Sequence, residues 1–135
     1  MSFSNVAETA INNYIFGGTN VSWNANTDLW YALYTSDPGE AGSAVTNEAN
    51  YTNYARVAVS RSTGLTITGA TVTNAALAQF PICGVTSNTV THVGIVTTAS
   101  GAGTLIVSGA LGSSQTIQNG NQPQFNAGTF IFTLD

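Results

Sequence analysis

Lysine is absent from the chain. Its only cations are Arg56 and Arg61, and the formal net charge is -4. A nucleic-acid backbone is gripped by several basic contacts at once. Two arginines do not supply them, so no nucleic acid is expected as a partner. The same shortage argues against an anionic membrane surface. Charged residues of either sign make up 6% of the chain, against about 25% in an ordinary domain. Little repulsion then keeps copies apart, and docking on a larger body is easy. Cysteine occurs once, at Cys83. No disulfide can close within the chain, and the residue reads as a small buried apolar side chain. Histidine also occurs once, at His92. No Cys/His spacing fits zinc, and no G-x-S-x-G elbow offers a nucleophile. No apolar run approaches the roughly 18 residues of a membrane span. The segment Met1 to Val6 lacks the basic-then-apolar order of a secretory signal, so synthesis in a cytoplasm is expected.

What is present is small, polar and uncharged. The chain has 135 residues, of which 43% are hydrophobic, with 20 Thr, 12 Ser and 14 Asn. That length fits one domain, able to bury a core without metal or disulfide. Threonine suits the half-exposed face of a strand, and Asn and Ser suit turns.

One segment has helical period. Val6, Ala7, Ala10, Ile11, Tyr14 and Ile15 form a single apolar stripe over about Val6 to Phe16. Asn5 stands three residues before Glu8, the spacing of an N-cap with a supporting acid, and Gly17 and Gly18 end the pattern. The stripe is free to pack on the body of the protein or on a neighbouring subunit.

The rest alternates as strands do. Leu29 to Ser36 places Trp30 and Tyr31 on opposite faces. Both cannot be core in a two-layer sandwich with one solvated face, so a partner or the helix is expected over one of them. Asp37, Pro38 and Gly39 form a turn. A loop then runs to about Asn53, long enough to expect a functional role. Further strands are expected at Tyr54–Ser60, Leu65–Thr73 with a break at Gly69 and Ala70, Leu77–Ile82 at an edge because of Pro81, Thr89–Thr98, Thr104–Leu111, a hairpin about Asn119 and Gly120, and Thr129–Leu134. In Thr89–Thr98, Val90, His92, Gly94 and Val96 share one face. Val57, Val59, Val93, Ile95, Phe130 and Phe132 are expected in the core. The fold class is all-β, an antiparallel β-sandwich of jelly-roll type with about eight strands and one short N-terminal helix. A helical segment spans 1–18 and the sandwich 19–135, within one domain.

Catalysis needs acids, bases or nucleophiles that converge. The acids are Glu8, Asp28, Asp37, Glu40, Glu48 and Asp135. Asp37, Glu40 and Glu48 share the long loop, where a carboxylate pair or a calcium ion is conceivable. Their spacing matches no known calcium loop, and turn formation accounts for them. No catalytic, cofactor-binding or metal-ligating residue is therefore assigned. The aromatic residues crowd the first 54 positions. Trp and Tyr are enriched at interface hot spots, and the candidate partner contacts are Tyr14, Phe16, Trp23 and Tyr51, with Trp23 expected to be exposed.

A family resemblance rests on Ser4, Asn5, Ala7, Glu8 and Thr9, the run LWYALYTSDPGEAG from Leu29 to Gly42, and Asn47 with Glu48. It continues through Tyr51, Tyr54, Ala55 and Arg56, Asn74 to Ala76, Phe80 with Pro81, Thr91 to Ile95, Ser108 to Leu111, and Thr133 to Asp135. Over nearly its whole length the chain resembles small tailed-bacteriophage virion proteins of the head-decoration, cement, minor-tail or tail-fibre kind. The resemblance implies a non-enzymatic, structural role in the virion and a β-sandwich like that of some cement proteins. The leading expectation is a capsid cement or decoration protein that binds the major capsid protein and copies of itself, as dimer or trimer. The alternative is a minor tail or fibre component, possibly a receptor- or glycan-binding module.

Overall fold

A computed structural model describes residues 2–133; Leu134, at the end of the last expected strand, and the acid Asp135 lie outside the described residues. The helix α1 spans Asn5–Gly17 and follows the two-residue strand β1, Ser2–Phe3. The remaining strands are β2 (Asp28–Tyr34), β3 (Val57–Ser60), β4 (Leu65–Thr68), β5 (Thr71–Asn74), β6 (Ala78–Gln79), β7 (Asn88–Val96), β8 (Leu105–Ile117), β9 (Gln124–Phe125) and β10 (Ile131–Thr133). All pairings are antiparallel. They build three sheets, ordered β1-β8-β7-β2-β3, β10-β5-β4 and β6-β9. The expected antiparallel β body with one helix is present. Its division into sheets of five, three and two differs from the double sheet of a jelly roll.

The main core draws on all three sheets. Leu29, Tyr31, Leu33, Val59, Val93 and Ile95 from the large sheet meet Phe132 from the second and Phe125 from the third, together with Phe80 and Phe130. The ring of Tyr31 stands edge-on to Phe130 at 5.0 Å. Of the six expected core residues, five are buried and Val57 is half-buried.

The opposite face of the large sheet carries a second, smaller core of Ala32, Tyr34, Ala44, Val96 and Leu105, with Trp30 packed against it. Ala44 belongs to the long loop, so the loop itself covers the second face of β2. It runs back along the strand: Thr35 N–H donates to Asn47 O at 2.9 Å and Ala49 N–H to Leu33 O at 2.8 Å. Tyr34 OH donates to Ala44 O at 3.1 Å. Gly94 makes room for this layer. A Cβ there would stand 2.9 Å from both the Tyr34 ring and Leu105.

Three local expectations are corrected. Val90 does not share a face with Val96. The β7–β8 register slips between Val90 and His92, and this bulge returns Val90 to the main core beside Val93. The turn at Asn119 and Gly120 exists, with Asn121 N–H donating to Gln118 O at 2.9 Å, but it joins no hairpin. The flanking strands pair elsewhere, β8 with β7 and β9 with β6, because the segment about Cys83 occupies the turn's own backbone: Gly120 N–H donates to Cys83 O and Cys83 N–H to Asn121 O, each at 2.8 Å. The N-cap of α1 is Ser4, not Asn5. Ser4 keeps extended backbone angles and its Oγ accepts from Ala7 N–H at 3.2 Å.

Candidate partner-binding surface

The first turn of α1 is fastened from several directions. β1 pairs with β8, Phe3 opposite Val107. Ser4 N–H donates to Ile106 O at 3.0 Å, and Asn5 N–H to Glu40 O at 3.0 Å. The Ser4 hydroxyl donates to Leu105 O. Ala7 is buried, and Phe3 and Ala10 pack on the main core. Glu8 sits in the first turn, where the N-terminal end of the helix dipole favours an acid.

Past Ile11 the helix leaves the body. Every residue from Asn12 to Asn20 is exposed. Val6, Tyr14 and Ile15 are each more than half exposed, and Phe16 is 85% exposed. Gly18, in the left-handed conformation at φ 67°, closes the helix by donating to Asn13 O. The apolar stripe is therefore divided. Its small members, Ala7 and Ala10, meet the core, Ile11 is half-buried, and Val6, Tyr14 and Ile15 face solvent. Aromatic and aliphatic side chains gathered on an anchored helix can bury substantial apolar area against a second surface.

The four sequence-derived contact candidates separate in the same way. Tyr14 and Phe16 lie on this free helix. Trp23, expected to be exposed, is 8% exposed, and Tyr51 is 2% exposed; both belong to the main core. Trp23 lies in a turn closed by Asn26 N–H donating to its carbonyl, which also accepts from Arg61. Tyr51 packs edge-on to Tyr54 and donates its hydroxyl to Pro81 O at 3.0 Å. Burial pushes its pKa up to about 12, with the nearby Cys83 adding to the shift. Val6 and Ile15 belong with Tyr14 and Phe16 on the exposed helix. Their residue types gave no sign of it, since an amphipathic stripe reads the same whether its cover is the chain's own body or a partner.

The titratable residues of the long loop do not converge. Glu48 turns inward to a bidentate pair with Arg56, whose Nε is 2.6 Å from Oε1 and whose second guanidinium nitrogen is 2.8 Å from Oε2. Tyr54 OH also donates to Glu48, at 3.0 Å. Arg56 donates further to Thr98 O and Oγ1, each at 2.9 Å, and to Gly101 O at 2.8 Å. The hydrogen-bonded carboxylate of Glu48 holds the guanidinium charged, with its pKa above the usual arginine value. Asp37 and Glu40 instead line an open cleft of about 530 Å³ with His92 and Ser108. Asp37 caps its own turn by accepting from Gly39 N–H at 2.8 Å, and His92 Nδ1 lies 2.8 Å from Thr91 Oγ1. Among the described residues no three of His, Cys, Asp and Glu stand together as an ion-holding group. Among the described residues no helix is long and apolar enough to cross a membrane.

No curated protein matches the chain. Residues 2–133 match the family model described as podophage GP4 fiber I protein gp80. That span takes in the anchored helix and the β body together, and the chain belongs to this family of phage fibre proteins.

Proposed function

We propose that the chain is a non-catalytic structural subunit of the fibre apparatus of a tailed-phage particle, attached to a neighbouring virion subunit through the exposed apolar side chains of α1. The observation that carries this reading is the division of the helix. Its first turn is fastened to β8, while Val6, Tyr14, Ile15 and Phe16 stand in solvent. Membership of a family described as fibre proteins supports the fibre reading over a capsid cement that clamps the major capsid protein. Large apolar side chains supply the contact energy, as they do at interface hot spots.

The test is assembly of particles carrying the double substitution Tyr14→Ser and Phe16→Ser. Both side chains are exposed, so the β body should fold and melt as in the parent. The variant should be missing from purified particles, and immunogold label on parental particles should lie on fibres. Normal incorporation of the variant sinks the helix as anchor. Label spread over the head restores the cement reading.

A further inference from the structure

We propose that the outer edge of β4 is a self-association surface, on which the same edge of a second copy pairs about a two-fold axis with Thr66 opposite Thr66. β4 and β5 form a hairpin in which Thr68 faces Thr71, Ile67 faces Val72, Thr66 faces Thr73 and Leu65 faces Asn74. The loop between them is the two residues Gly69 and Ala70, with Gly69 at φ 59°. Residues flanking a two-residue loop exchange both of their hydrogen bonds, and such pairs alternate along an antiparallel ladder. Thr68 and Thr66 therefore direct their N–H and C=O groups at β5. Ile67 and Leu65 direct theirs the other way, to an edge on which no strand lies among the described residues.

That edge is complementary to itself. Turned about a two-fold axis through Thr66, Leu65 of one copy comes opposite Ile67 of the other, and each pair exchanges both N–H···O bonds. All the outward backbone groups of Leu65 and Ile67 are then satisfied, and the two three-stranded sheets become one continuous sheet. The side chains agree with the register. Ile67 is 72% exposed although it lies in the same cross-strand row as Val72 and the fully buried Phe132, and in the pairing it packs beside Leu65 of the second copy. Thr66 meets its own equivalent on the opposite face, where two hydroxyls can share a hydrogen bond. Native edges are normally defended by charge, proline or a bulge. β4 has none of these, and no charged residue occurs between Leu65 and Asn74. The outer edge of β8 differs: β1 covers Val107 and Ser108, and beyond them the register slips opposite Thr91.

The pairing is independent of the helix contact, and its test separates the two. Sedimentation equilibrium of the full chain, carried to millimolar concentration, should give a mass rising from 13.9 kDa toward twice that value. Ile67→Lys should remain a monomer throughout while keeping the parental circular dichroism, because the side chain is exposed. The Tyr14→Ser, Phe16→Ser variant should dimerise like the parent. A non-hydrogen-bonded antiparallel pair holds its Cα atoms about 4.5 Å apart, within disulfide reach. Thr66→Cys should therefore oxidise to a covalent dimer, and Thr68→Cys should not. A parent that stays monomeric overturns the proposal. So does a dimer that survives Ile67→Lys, or one that Thr68→Cys cross-links as efficiently as Thr66→Cys.

Discussion

Tyr31 shows how one side chain can serve the core and burden it. Its ring lies at the centre of the main core against Phe130, but its hydroxyl is buried with no hydrogen-bond partner. An unsatisfied buried hydroxyl costs about 1–3 kcal/mol, and Tyr31→Phe removes it while keeping the ring. The substitution should stabilise the protein by about 1 kcal/mol in urea denaturation. Unchanged or lower stability would mean that the hydroxyl has a partner in solution. The same residue makes the fold sensitive to alkali. Burial raises its pKa from 10.0 to about 12, so the unfolded chain releases the proton first. The stability carried by the neutral phenol is complete below pH 10 and is lost as the pH rises toward 12. Tyr51 is shifted in the same direction to about 12, and burial likewise pushes up Tyr34 and Tyr54. Melting temperature should therefore fall through this range, and Tyr31→Phe should fall less steeply than the parent.

Among the elements, the long loop between β2 and β3 departs most from its sequence reading. Its length pointed outward to a functional role. In the structure Ala44, Ala49 and Tyr51 bury themselves, and Glu48 pairs with Arg56. The misreading has a physical cause. Alternation in Leu29–Ser36 correctly placed Trp30 and Tyr31 on opposite faces and required a cover for each. Nothing in local period says that the cover is the next stretch of the same chain. The ion pair of Glu48 with Arg56 was illegible for a related reason: eight residues separate them, and the turn that aligns them depends on Thr98 and Gly101 from a distant hairpin. Breaking a buried ion pair by removing one partner costs about 3–5 kcal/mol, because the other charge is left uncompensated. Arg56→Ala should lose that much in urea denaturation. It should also release the loop, so that limited proteolysis cuts between Ala41 and Asn53 in the variant and not in the parent. Equal cleavage in both would show that backbone hydrogen bonds alone hold the loop.

At the scale of the whole molecule, the antiparallel β body and its single helix were legible because turn residues punctuate strands of strong alternation. The sharing of strands among three sheets was not. β1 joins β8 across most of the chain and β10 joins β5 across nearly half of it, and such pairings leave no local mark. The scarcity of charge was legible from the start, and the structure sharpens its consequence. Both arginines are engaged within the chain, Arg56 with Glu48 and Arg61 with the carbonyls of Trp23, Asn24 and Asn26. No lysine and no third arginine exists to form an ion pair across an interface, so a partner's acids find few counterparts here. Contacts between the protein's few acids and a partner's bases would be exposed and screened, each worth about 0–1 kcal/mol. Apolar burial through α1 is not screened by salt and strengthens slightly as salting-out ions are added. Binding of the purified protein to particles that lack it should therefore weaken by less than about threefold between low and near-molar sodium chloride. It should also be indifferent to chelators, because Glu48 is held by an arginine and Asp37 by its own turn. A steep fall in occupancy with salt would point to a basic partner surface reading Glu8 and its neighbours, and release by chelator alone would return a cation to Asp37 and Glu40.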